Sequence, residues 1–183
     1  MAEDDEGRII TINCNSNTVD EGRVNITLSN STDVFFIDKI SNKVIKRIEM
    51  VDLIEDAVLE LQNLQADMSA CRFLSYHNKK LYVVDLGLDC VFILNKDGTE
   101  SELFGSRGNK GGEFRDPAGL VADDIGTMMV VDSRNHRLQL INSDLSFAGL
   151  VKVKFKNRIT DLTDFPSRLT PLLQDHLVSV WIV

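Results

Sequence analysis

Three aspartates each close a short apolar run: Val34 to Asp38, Leu81 to Asp85 and Met128 to Asp132. Asp38, Asp85 and Asp132 stand 47 residues apart in succession. A ring of such carboxylates could hold a divalent cation or share acid–base work. The same placement has a plainer use, because an aspartate between a strand and a polar turn accepts backbone N–H groups. One repeated role accounts for three repeated residues, so the three are read as structural punctuation. No catalytic, cofactor-binding or metal-ligating set is expected. His77 and His136 sit in turns without recurring partners, and His176 carries no signal. Gly-x-Ser-x-Gly and His-Glu-x-x-His patterns are absent, and the glycine-rich Gly105–Gly112 lacks the Gly-Lys-[Ser/Thr] ending of a phosphate loop.

What remains for chemistry is a cationic surface. Arg107, Lys110, Arg115, Arg134 and His136 fall in two segments, 105–115 and 133–136. They are the candidate partner-binding residues, suited to acidic peptide or to phosphate.

The elements that must carry these residues follow from the fixed period, which marks a repeat architecture. The third repeat is the clearest. Pro117 and Gly119 punctuate a loop-to-strand entry, and Leu120–Ala122 reads as a first strand. Met128–Val131 is an unbroken apolar second strand, expected to be buried on both faces. His136–Ile141 alternates around Leu138 and Leu140, and Phe147–Lys154 is an outer strand with Lys152 and Lys154 on its polar side. The second repeat matches it with strands at 71–76, 81–84, 90–94 and 99–104. In the first, 22–28, 34–37 and 43–48 read as strands, and 9–14 as the last strand of an earlier blade. Residues 177–183, which hold Trp181, resemble the second strand of a following one. Ile54, Ala57, Val58, Leu61, Leu64 and Met68 recur at helical spacing, so a short helix is expected near 51–65, although the repeat register asks for a strand in the same place.

The expected fold is therefore all-β: a partial, open β-propeller of three to four four-stranded antiparallel blades. The blades are placed at about 20–66, 67–113, 114–160 and, in part, 161–183. Residues 1–8, rich in acid, are expected to be disordered.

Composition agrees with a soluble domain, at 43% hydrophobic and 26% charged over 183 residues. The net charge of −8 disfavours a broad nucleic-acid surface. Glu3, Asp4, Asp5 and Glu6 oppose the basic start of a signal peptide, and no long apolar run follows, which favours the cytoplasm and no membrane. Cys14, Cys71 and Cys90 show no Cys-x-x-Cys pair and read as small buried residues.

The run Pro117 to Ile141, with Asp132 at the strand end and Asn135-His136-Arg137 after it, closely resembles the NHL repeat. The preceding Phe104–Asp116 is similar to that family's inter-blade loop. The resemblance covers Lys80–Val151 well and looks most like the C-terminal propeller of tripartite-motif (TRIM) NHL proteins. It implies a non-catalytic module that binds protein partners through propeller loops, as the recognition part of a ubiquitin ligase. An RNA-binding propeller is the alternative, and a lyase- or lactonase-like propeller enzyme a third. Three scattered cysteines cannot build a RING, so ligase activity is not expected in these residues. In the signature, Pro117, Gly119 and Arg137 are structural, Arg137 being expected to pair with a neighbouring carboxylate. A closed ring of this family has about six blades. The chain is accordingly expected to be a fragment that needs missing blades or self-association to cover its edges.

Overall fold

The computed structural model describes residues 2–13, 33–61, 69–99, 101–123 and 125–151. These residues form three four-stranded antiparallel sheets and one α-helix, an open arrangement of propeller-like blades. The first sheet holds β1 (Ala2–Glu3), β2 (Ile9–Asn13), β3 (Asp33–Ile37) and β4 (Val44–Glu49). Helix α1 (Val51–Leu61) follows. The second sheet holds β5 (Cys71–His77), β6 (Lys80–Asp85), β7 (Cys90–Asn95) and β8 (Ser101–Phe104). The third holds β9 (Pro117–Ala122), β10 (Met128–Asp132), β11 (Arg137–Ile141) and β12 (Phe147–Val151). Each sheet is a meander in which every strand pairs with its sequence neighbour.

The second sheet shows why its strands are apolar without interruption. Leu81, Val83, Phe92 and Leu94 pack with Ile10, Val34, Phe36 and Ile48 of the first sheet. The intervening Tyr82, Val84, Val91 and Ile93 pack with Met128, Val130 and Ile141 of the third. Successive strand residues point to opposite faces, and both faces here are covered, so neither parity can be polar. Burying each such side chain contributes about 1.5–3 kcal/mol. Helix α1 joins the first of these cores through Ile54 and Ala57, and its other face carries Asp52, Glu55, Asp56 and Glu60. The expected helix is thus present over 51–61; residues 62–65 lie outside the described ones.

The second and third blades fall where the period places them. The first does not. Strand β2 pairs with β3 along its length, from Ile9 opposite Ile37 to Asn13 opposite Asp33. Residues 9–13 therefore belong to the first sheet and not to an earlier blade. The first blade spans 2–49 instead of 20–66. The acidic opening is folded as well: Ala2 and Glu3 pair with Ile10 and Ile9 across a turn at Asp4–Arg8. Cys14, the expected strands at 22–28 and 177–183, Lys152, Lys154, His176 and Trp181 lie outside the described residues.

This topology separates the three aspartates. Asp85 and Asp132 end the second strand of their sheets, whereas Asp38 follows the third strand of its own. Asp38 stands in the outer hairpin turn, where its carboxylate accepts the Ser41 N–H at 2.7 Å and hydroxyl at 2.6 Å. Its counterparts are Asp97, which accepts the Thr99 N–H and hydroxyl, and Asp144, which accepts those of Ser146. At the register position of Asp85 and Asp132 the first sheet carries Asn13. The even spacing from Asp38 to Asp85 is a coincidence of two different turns that both favour aspartate.

Candidate functional site

The end of the molecule that bears the predicted surface is built on Asp132. It closes β10 and is fully buried, opposite Arg137 on β11 and Pro117 on β9. Between β10 and β11 a 3-10 turn over Ser133–Asn135 ends on His136, held left-handed at φ 53°. The Asp132 carboxylate accepts the Arg115 N–H at 2.8 Å, Arg137 Nε at 2.6 Å, Gln139 Nε2 at 2.9 Å and both contacts of Asn135 Nδ2. A buried carboxylate is stable only when paired and hydrogen-bonded, and Asp132 is both.

Arg137 does more than neutralise it. Its two terminal nitrogens donate to the carbonyls of Asn109, Lys110 and Glu113 at 2.7, 2.6 and 3.0 Å. Gln139 adds a bond from Nε2 to the Glu113 carbonyl, and its Oε1 accepts the Gly112 N–H at 2.9 Å. The Glu113 carboxylate accepts the N–H groups of Asn109 and Lys110, both at 2.9 Å. Those backbone bonds, from Lys110 foremost, hold its carboxyl below the usual range. The glycine-rich loop between the second and third blades is thus pinned from both sides. A Cβ at Gly108 would collide with the Glu113 side chain and displace it.

Asp85 occupies the matching place one blade earlier and is held differently. The position of Arg137 is taken by Cys90. Asp85 instead accepts the N–H groups of Ala70, Gly87 and Leu88 at 2.8–2.9 Å, the Ser69 hydroxyl, and the Cys71 thiol at 3.1 Å. Burial, and then the Asp85 charge, push both the Cys71 and Cys90 thiols upward. Both are free, buried and protonated, which suits packing and not nucleophilic chemistry.

The five predicted surface residues lie in the loops at this end. Arg107 Nε pairs with Asp89 at 2.6 Å, and Asp89 also accepts the Asp116 N–H at 2.7 Å. Arg134 pairs with Asp116, and its N–H donates to the Arg115 carbonyl. Lys110 is 83% exposed, its ammonium 4.0 Å from Glu113. Arg115 is exposed, and its guanidinium has no hydrogen bond or ion pair among the described residues. His136 is exposed. Pro117 and Gly119 are buried in β9, Pro117 as its first residue, where no ladder donor is needed.

Asp89, Asp116, Glu113 and Gln139 escaped the sequence reading. Gln139 had a signal: it shares strand parity with Arg137 and Ile141, and that face is the deeply buried one. The Leu138–Leu140 parity, read as the core face, is the less buried of the two, with Leu140 only half-buried. Asp89 and Asp116 had none, since each meets its arginine only where strand pairing brings two separate turns together.

At the opposite end the acidic opening meets the second blade. Lys96 Nζ contacts Glu6 at 2.7 Å, Asp5 at 2.8 Å and Asp4 at 3.5 Å, while the Tyr76 hydroxyl donates to Asp5 at 2.7 Å. Lys96, then Tyr76, hold the Asp5 carboxyl down to about 2. Among the described residues no group of three or more His, Cys, Asp or Glu side chains is placed to hold a metal. No described helix is long and apolar enough to cross a membrane.

No family model matches the chain, and no curated protein does. Among solved structures it is similar to a Bacteroides caccae protein of unknown function, at 12% identity and TM-score 0.49, covering 80% of this chain and 43% of that one. It is also similar to the major Malassezia sympodialis allergen Mala s 1, at 11% identity and TM-score 0.48, covering 76% and 42%. The chain thus spans less than half the length of either. Likeness at that level says nothing of activity or binding. The class defined by the residues themselves is an all-β, open arrangement of propeller-like blades.

Proposed function

We propose that this chain is a non-catalytic interaction module of NHL-repeat type, docking a protein partner through the loops that join its blades. The observation that carries the reading is the pinning of the glycine-rich loop by Asp132, Arg137 and Gln139. It gives Arg107, Lys110, Arg115, Arg134 and His136 a rigid base, so little conformational entropy is lost when a partner binds. The NHL resemblance extends the proposal: the module serves as the partner-recognition part of a TRIM-type ubiquitin ligase in the cytoplasm. The same proposal has the outer face of the third sheet covered by a further sheet or a second copy. Its Met129, Val131, Leu138 and Leu140 lie 47 residues beyond Tyr82, Val84, Val91 and Ile93, the face that the third sheet covers.

The test is affinity capture on the immobilised full chain, comparing wild type with a triple Arg107→Ala, Arg115→Ala, Arg134→Ala variant. Proteins retained by the wild type and lost by the variant support the reading. Identical sets from both, or turnover of a small-molecule substrate by the purified chain, would sink it.

A further inference from the structure

We infer that the loop end selects an acidic peptide over a nucleic-acid strand, and that Arg115 is the residue that anchors it. This rests on the interaction-module reading above and narrows it to one partner chemistry.

The cations at this end differ in how they are paired. Of the four fixed cations, Arg107 is held by Asp89 at 2.6 Å and Arg134 by Asp116. Lys110 faces Glu113 at 4.0 Å. Asp89 and Asp116 thus offset Arg107 and Arg134, while Glu113 offsets the exposed Lys110 more weakly. The other donors are spent as well. Arg137 uses its guanidinium on Asp132 and three carbonyls, Asn135 Nδ2 is taken by Asp132 and the Gly108 carbonyl, and the Ser133 hydroxyl by the Asp116 carbonyl. Arg115 is left. Its backbone is fixed at both polar groups, the N–H on Asp132 and the carbonyl accepting from Arg134. Its guanidinium is exposed and unpaired among the described residues.

A single guanidinium fork on a fixed backbone matches one carboxylate through two parallel N–H bonds. It does not match a polyanion, whose binding draws on several unpaired cations and weakens with salt by roughly 0.7 in log K per log salt for each phosphate neutralised. Asp116, one residue on, already holds Arg134, so a second phosphate finds no unpaired arginine there. A single glutamate or aspartate flanked by neutral residues needs only the one fork.

The experiment is a titration of the isotope-labelled full chain followed by amide and arginine Nε resonances. The probes are an acetylated, amidated tetrapeptide Ser-Glu-Gly-Ser and a twelve-nucleotide polyuridylate, each over a salt series. The peptide is expected to shift the Arg115 Nε resonance together with amides of 107–116 and 133–136. Arg115→Ala should weaken that binding at least tenfold, and Arg115→Lys should restore only part of it, with the remaining spectrum unchanged in both variants. Polyuridylate should bind more weakly than the peptide, with a salt slope of about 1 or less. Tighter polyuridylate binding, or a slope of about 2 or more, overturns the inference in favour of RNA. Peptide binding unaffected by Arg115→Ala, or no loop shift with either probe, also overturns it. If partner capture is then lost in an Arg107→Ala, Arg134→Ala double variant that keeps Arg115, the interaction reading survives and only the anchor is wrong.

Discussion

Arg137 lies 2.6 Å from Asp132 and completes the third blade's buried carboxylate, while the second blade's equivalent, Asp85, has Cys90 at the arginine position. One blade satisfies its strand-end aspartate with a cation, the other with backbone N–H groups, a hydroxyl and a thiol. The repeat conserves the need for a donor-rich pocket while changing the donors.

Removing one partner of such a pair leaves a buried charge uncompensated, at a cost of about 3–5 kcal/mol. Arg137→Ala should destabilise the chain by that order, read from urea unfolding. Amide exchange of Gly108–Phe114 should accelerate with it, because the three carbonyl anchors of the loop go too. Unchanged loop protection would show that the glycine-rich loop holds itself.

Asp38 and Asp85 share a sequence pattern but not a role. Asp85→Ala strands three backbone N–H groups, each worth about 1–3 kcal/mol when left buried and unpaired. Asp38→Ala releases only a solvent-exposed turn contact with Ser41 and should cost much less. Equal losses in parallel denaturation curves would restore the three aspartates to one class.

Gly105 takes φ +88°, and a Cβ there would run into the buried Phe114 ring. Gly105→Ala is expected to destabilise by about 2 kcal/mol or more, from backbone strain and overpacking together. Gly149, with nothing near its Cβ position, is the control, and its Ala variant should stay close to wild type by thermal unfolding.

The acidic opening makes a pH-dependent contact. Asp5 is held at about 2, below its unfolded value of about 4. Its contribution to stability is therefore complete above pH ~4 and lost as pH falls toward 2. Burial, then the bond to Asp5, raise Tyr76 to about 12, so that contribution is complete below pH ~10 and fades as the pH approaches 12. Lys96→Ala should raise the Asp5 midpoint in a carboxyl carbon NMR titration. An unmoved midpoint would mean that Lys96 does not hold Asp5.

Strand by strand, the second and third blades were legible because their evidence is local. Alternating or unbroken apolar runs of four to six residues, bounded by Asn-Lys-Asp-Gly or Asp-Asp-Ile-Gly, have one compact solution. Helix α1 was legible for the same reason, from the spacing of Ile54, Ala57, Val58 and Leu61. The surface was only half legible. Its cations could be counted along the chain, but Asp89 and Asp116 reach Arg107 and Arg134 only because strand pairing brings separate turns of each blade together.

What the sequence by itself determined is the all-β repeat, its 47-residue period over the last two blades, and the residue types at each turn. The tertiary structure alone decided which turn each aspartate occupies. A strand ending in aspartate looks the same whether it is second or third in its sheet. That order is set by pairing between segments as distant as Ile9–Asn13 and Asp33–Ile37. Pairing of that kind is a matter of shared hydrogen bonds and a common buried face, and neither is written in the spacing of residues along one strand.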